Sequence, residues 1–171
     1  MDYNTLIAER YSVRKFDGVP LTEDEIGALL AAGHLAPTGC NNQPQRILVL
    51  REESMEKLRG CTRCHFGAPN AMLVCYNKGE VWRRPYDGKS CGVADACIVA
   101  THIMLKAQDL GLGCTWVMHF DPQKMRDAFS IPETVEPVAL LVLGHPAADA
   151  APLPMHFEYR PLEETVVYDS F

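Results

Sequence analysis

Between Val93 and Leu110 the chain carries a run that only a doubly buried helix can satisfy. Val93, Ala96, Ile98, Val99, Ala100, Ile103, Met104, Leu105 and Ala107 fall around most of a helical circumference, and Gly111-Leu112-Gly113 ends the run. A helix apolar nearly all round has to be covered on more than one side. In a chain of 171 residues one of those sides is a natural place for a second subunit.

The remaining elements alternate around this helix. Residues 2–10 are expected to form a short helix with Leu6 and Ile7 inward. A second helix opens on Thr22-Glu23-Asp24-Glu25, the pattern of a capping box, and runs on with Ile26, Leu29, Leu30 and Gly33 as its apolar stripe. It stops before Pro37. Ile47–Leu50 is expected to be a buried strand, Ser54 to cap a short helix reaching Leu58, and residues 71–76 to form a second strand. Cys114–Val117 and Val138–Gly144 complete the strands, and Asp121-Pro122 marks a helix start with Asp as cap and Pro in the first turn. No G-x-G-x-x-G follows the first strand, which argues against a dinucleotide-binding Rossmann domain. The expected fold is α+β: one domain spanning residues 1–171, with a mixed central sheet and helices on both faces. Residues 77–92, with Trp82, Arg83, Arg84, Tyr86 and Lys89, are a candidate lid, and 145–171 an extended C-terminal tail.

Composition removes several classes of function. The chain is 47% hydrophobic and 22% charged, which is globular rather than disordered, and its net charge of -6 argues against nucleic acid as a partner. No apolar run follows Met1 and no stretch reaches the ~18 residues of a membrane span, so the expectation is a soluble cytoplasmic protein with no membrane partner. The seven cysteines are then expected to be free thiols. Most sit in apolar runs, as Cys75, Cys97 and Cys114 do. Cys61-Thr62-Arg63-Cys64-His65 stands apart, but it lacks a second ligand pair for zinc and does not open a helix after a strand, so no metal site is expected.

Charge in this acidic chain concentrates in Arg10-Tyr11-Ser12-Val13-Arg14-Lys15-Phe16. Two guanidiniums four residues apart, with a hydroxyl between them, can converge on one small anion such as a phosphate. The competing reading is a solvated helix end in which Arg10 and Arg14 pair with Glu9 and Asp17.

Several segments, in order, resemble the nitroreductase family. Arg10-Tyr11-Ser12-Val13-Arg14-Lys15-Phe16 is similar to its R-x-S-x-R-x-F opening, and Ala36-Pro37-Thr38-Gly39-Cys40-Asn41-Asn42-Gln43-Pro44 to its A-P-S-x-x-N-x-Q-P loop. Asp95 with the long apolar helix, the stretch from Leu110 to Val117, and Arg160-Pro161-Leu162-Glu163-Glu164 follow in the same order. The resemblance implies an FMN-dependent oxidoreductase, a homodimer with flavin at the subunit interface. It implies that Arg10, Ser12 and Arg14, with Tyr11 among them, hold the phosphate, ribityl and pyrimidine side, and that Pro37, Thr38, Gly39 and Asn41 come from the other subunit. Backbone groups of Trp116, Val117, Met118 and His119 would approach flavin N5 and O4, and Arg160 would return to the phosphate.

The implied chemistry passes a hydride from NAD(P)H through flavin N5 to a nitroaromatic, quinone or similar electron-poor acceptor, and requires no catalytic side chain, because the flavin itself carries the hydride. Two places depart from the family pattern: Gln45 stands where an aromatic residue usually follows Pro44, and Glu158 and Tyr159 precede Arg160 where basic residues are common. Both point to weaker flavin binding. The alternative is a flavin-binding or sensing protein, or other flavin chemistry on the same scaffold.

Overall fold

Four strands form one sheet in the order β1-β2-β4-β3, where β1 is Gln45–Arg51, β2 Asn70–Asn77, β3 Gly113–Val117 and β4 Val135–Gly144. The computed structural model describes residues 1–171. The helices are α1 (Tyr3–Glu9), α2 (Glu23–His34), α3 (Glu53–Arg59), α4 (Gly92–Asp109), α5 (Pro122–Phe129) and α6 (Leu162–Thr165), with short 3-10 turns at Gly39–Asn41 and Pro154–Phe157.

The two central strands, β2 and β4, are buried almost end to end, which is why both read as continuous apolar runs. Side-chain alternation along β4 feeds two separate cores. Leu141 and Leu143 face α2 and α4, joining Ile26, Leu29, Val99 and Ile103. Leu140 and Val142 face α3 and α5, joining Met55, Leu58 and Met125. Helices therefore cover both faces of an α+β domain. Each fully buried leucine of these layers contributes about 1.5–3 kcal/mol by leaving water. The tight crossing of α2 on α4 depends on Gly33, where a Cβ would stand 3.0 Å from the Ile103 side chain.

Several details differ from the sequence expectation. Every strand pairing in the sheet is antiparallel, and the parallel component shrinks to a single bridge between Ser12 and Cys114. β1 is an edge strand and mostly half-buried, because only β2 flanks it. Ser54 lies inside α3; the residue at the helix start is Glu52, held at φ 51° without a side-chain cap. Ile7 is exposed rather than inward, since α1 lies on the outside of the domain. The capping box of α2 forms as expected, with the Glu25 N–H donating to Thr22 Oγ1 and the Thr22 N–H to Glu25 Oε2.

Within one chain α4 is covered on one face only. Asp95, Ala96, Val99, Ala100, Ile103 and Ala107 are buried, whereas Val93 is 52% and Ile98 37% exposed. The tail is likewise open, with Met155, Phe157, Tyr159 and Tyr168 all exposed.

Candidate functional site

Helix α1 ends at Glu9, and the following residues run extended. That segment is docked through its backbone onto the start of β3. The Val13 N–H donates to the Cys114 carbonyl at 3.2 Å, and the Thr115 hydroxyl donates to the Val13 carbonyl. Alternation along an extended chain turns Val13, 2% exposed, into the core and leaves Ser12 and Arg14 half-buried on the open side. Val13 fits because Gly113 lies beneath it; a Cβ there would stand 2.8 Å from Val13 Cγ1.

Arg10 and Arg14 are half-buried, yet no ion pair of the chain involves either. The solvated-helix-end reading fails on this point. Asp17 instead accepts from the Val19 N–H at 2.8 Å. Arg14 donates to the Ser12 carbonyl at 3.0 Å, and its guanidinium carbon lies 5.9 Å from the centre of the Phe66 ring. Tyr11, Ser12 and Arg14 line a cleft of about 160 Å³ together with Leu153, Met155 and His156 from the tail. The tail thus returns to this motif, but at Leu153–His156. Arg160 lies four residues further on, 79% exposed, with Glu164 at 3.9 Å.

The second cluster, Pro37, Thr38, Gly39 and Asn41, is built at the other end of α4. Asp95, in the first turn of α4 and 3% exposed, accepts the Gly39 N–H at 2.9 Å and the Cys91 thiol at 3.2 Å. Its carboxylate also lies where the helix dipole favours negative charge. Cys40, Asn41 and Gln43 all hold positive φ, at 50°, 55° and 51°, and the Gln43 N–H is tied to the Thr38 hydroxyl at 3.0 Å. Three left-handed residues within four positions persist only where surrounding contacts hold them. A Cβ on Gly39 would stand 2.6 Å from Cys91 Sγ and 3.0 Å from Trp82 Cβ, so glycine is required by close approach. The candidate lid packs here: residues 82–91 form a small hairpin closed by the Cys91 N–H to Trp82 carbonyl bond at 3.1 Å, with Arg84 paired to Asp87 at its tip.

The two clusters do not meet within one chain. The Gly39 loop is bonded to Asp95 at the start of α4, whereas Val13 of the arginine motif is bonded to Cys114, just past the end of α4 at Asp109. Between those two positions α4 rises roughly 21 Å at 1.5 Å per residue. At the end of β3, Trp116 is half-buried and Val117 is buried in the core beneath α3 and α5, leaving only its backbone for a ligand, while Met118 and His119, just past the strand, are exposed.

Cys61 is 6% exposed, and burial pushes its thiol pKa up, as it does for Cys75 and Cys114, both to about 12. These three are packing groups, poorly suited to act as thiolates. All seven cysteines are free, and no group of three or more His, Cys, Asp or Glu side chains converges on a point. No helix is long and apolar enough to cross a membrane.

A family model described as the nitroreductase family matches residues 7–74 and 61–145. The chain belongs to the nitroreductase family. A nitroreductase family protein from Clostridium difficile 630 superposes over 100% of both chains with TM-score 0.93 and 36% identity. A Desulfovibrio desulfuricans protein solved in complex with FMN is 25% identical, with TM-score 0.80 over 98% of this chain and 96% of its own. An NADPH-dependent oxidoreductase of Staphylococcus aureus (strain USA300) is 29% identical over 165 residues, covering 86% of this chain. The chain spans 65% of the length of that relative.

Proposed function

We propose that this chain is one subunit of a homodimeric FMN-dependent oxidoreductase that moves hydride from NAD(P)H to an electron-poor acceptor. The observation that carries this reading is the pair of half-buried guanidiniums, Arg10 and Arg14, left without a carboxylate in a chain of net charge -6. Cations in that setting are stabilised by an anionic ligand, and a phosphate monoester offers the dianion and the bidentate acceptors that arginine matches. The related protein solved with FMN identifies a ligand that carries such a group.

The residues fit the cofactor in two halves. Arg10, Ser12 and Arg14, beside Tyr11, would hold the phosphate, ribityl and pyrimidine side, and Arg14 would place positive charge against the pyrimidine. The backbone from Trp116 to His119 would face N5 and O4. The cleft of about 160 Å³ at Tyr11, Ser12 and Arg14 is smaller than the roughly 300–1,000 Å³ usual for cofactor sites, so one chain supplies only part of the cavity. The Pro37–Asn41 loop, roughly a helix length away, would complete it from a second copy. When bound, FMN supplies two-electron chemistry: a hydride received from a reduced nicotinamide and passed, with a proton from water, to a quinone or nitro group. The chain's own part is to hold, orient and exclude water, and no side chain is assigned as acid or base.

The protein is expected to purify yellow, with FMN and not FAD released on denaturation, because the motif offers a clamp for one phosphate and no second segment for an adenosine half. Chromatography of the released pigment decides this; FAD, or a colourless protein that FMN cannot reconstitute, would refute it. The dimer has its own test. The open outer face of α4 and the exposed apolar tail are surfaces that a second copy would cover. Sedimentation equilibrium at micromolar concentration is expected to report twice the chain mass, and a stable monomer would sink the two-chain site.

A further inference from the structure

A cleft of about 600 Å³ opens beside the end of β3, apart from the Tyr11–Arg14 cleft. One wall runs from Arg59, the last residue of α3, to Arg63. The other runs from Met118 to Asp121 and on to Lys124 in the first turn of α5. The walls are bonded to each other. The Thr62 hydroxyl donates to the His119 carbonyl, and the Asp121 N–H donates to the Cys61 carbonyl at 2.9 Å. Cys61, Thr62 and Arg63 of the Cys61–His65 stretch are therefore the built side of a cleft.

Charge in this cleft is one-sided. It is lined by three cations, Arg59, Arg63 and Lys124, and a single carboxylate, Asp121. Asp121 is already engaged as the cap of α5, its Oδ1 accepting from the Gln123 N–H at 2.9 Å and the Lys124 N–H at 3.1 Å. Arg59 is braced by Glu56 at 3.1 Å, whereas neither Arg63 nor Lys124 has a carboxylate partner. Met118 and His119 also line the cleft, and three residues beyond its Arg63 wall stands Phe66, whose ring centre lies 5.9 Å from the guanidinium carbon of Arg14.

We propose that Arg63 and Lys124, beside Arg59, recognise a terminal phosphate or carboxylate on the molecule that exchanges hydride at the flavin, an anionic group additional to the pyrophosphate that every nicotinamide dinucleotide carries. The inference rests on the flavin reading above, which sets Met118 and His119 of this cleft beside N5. The anion has two sources: the 2′-phosphate of a phosphorylated nicotinamide donor, or an acid group on the acceptor.

The FMN-loaded protein separates them by equilibrium binding. Adenosine 2′,5′-bisphosphate is titrated calorimetrically against adenosine 5′-monophosphate, and benzoate against benzamide by perturbation of the flavin absorbance. One anionic probe is expected to bind about ten-fold more tightly than its counterpart, with the preference shrinking as salt is raised. A preference in the first pair assigns the cleft to the donor, and in the second to the acceptor. The Arg63→Ala, Lys124→Ala double variant is expected to erase the preference while leaving the dissociation constant of FMN unchanged. Arg51→Ala, which removes an exposed cation from β1, is expected to keep it. Absence of preference in both pairs, or its survival in the double variant, overturns the inference while FMN binding leaves the cofactor reading standing. A wild-type protein that does not bind FMN overturns both.

Discussion

Asp95→Ala is expected to lower the unfolding free energy by about 2–3 kcal/mol, the cost of stripping partners from two groups held by a buried carboxylate. Asp95 accepts the Gly39 N–H on one oxygen and the Cys91 thiol on the other, and it lies at the favourable end of α4. Alanine leaves the Gly39 N–H without its partner in a loop that already holds positive φ at Cys40, Asn41 and Gln43. The loop should then relax and take its share of the cofactor site with it, raising the dissociation constant of FMN as well. Asp95→Asn separates the two effects. Its carbonyl can still accept from Gly39, so the loop should survive, while the amide cannot accept from the thiol and the net charge at the helix end is lost. Urea unfolding of the three proteins measures this directly. An Asp95→Ala protein as stable as the parent would mean that the loop is held by something else.

Arg10→Ala and Arg160→Ala are each expected to raise the dissociation constant of FMN by roughly ten- to a hundred-fold, the equivalent of about 1.5–3 kcal/mol for one charge-assisted contact to a partly desolvated phosphate. The two residues stand very differently in a single chain. Arg10 is half-buried beside the start of β3, whereas Arg160 is largely exposed on the tail. An effect at Arg160 as large as that at Arg10 would place the tail arginine at the phosphate in the assembled protein. Arg84→Ala is the control. Arg84 is held by Asp87 at the tip of the hairpin, and its loss should alter the Michaelis constants of donor or acceptor with little change in flavin affinity. Titrations belong at physiological ionic strength, where the general loss of positive potential is screened. Equal losses at Arg84 and Arg10 would mean that the clamp lies elsewhere.

How far the sequence exposed this fold depended on whether a signal was local. The capping box at Thr22 and Glu25, the Asp121-Pro122 start of α5 and the Gly111 stop after α4 are written in adjacent residues, and all three form. Strand order and direction are not local. Nothing between residues 45 and 144 says that β4 inserts between β2 and β3, so the sheet was expected to be mixed and β1 to be buried. The N-terminal motif displayed its cations, but whether Glu9 or Asp17 neutralises them depends on geometry that spacing alone leaves open. Asp95 was visible only as part of a resemblance; its role as the fastener of the Gly39 loop needed a contact spanning 56 positions. The cleft between Cys61 and Lys124 was hidden for the same reason, since its two walls come from distant segments, joined by a Thr62–His119 bond that spans 57 positions.

The order β1-β2-β4-β3 also fixes when the domain can finish folding. A ribosome that has released everything up to Thr134 has delivered β1, β2 and β3, yet β3 has no strand of the sheet to pair with, because β4 is its only partner strand there. The hairpin-like pair β1 and β2 can form early, and α2 can rest against α4, but the two cores on either side of the sheet both wait for the same ten residues. Until Val135–Gly144 emerges, the inner edge of β2 is an open template for any other extended chain. Assembly is therefore late and nearly all-or-none, with the last strand to be synthesised acting as the keystone of the sheet.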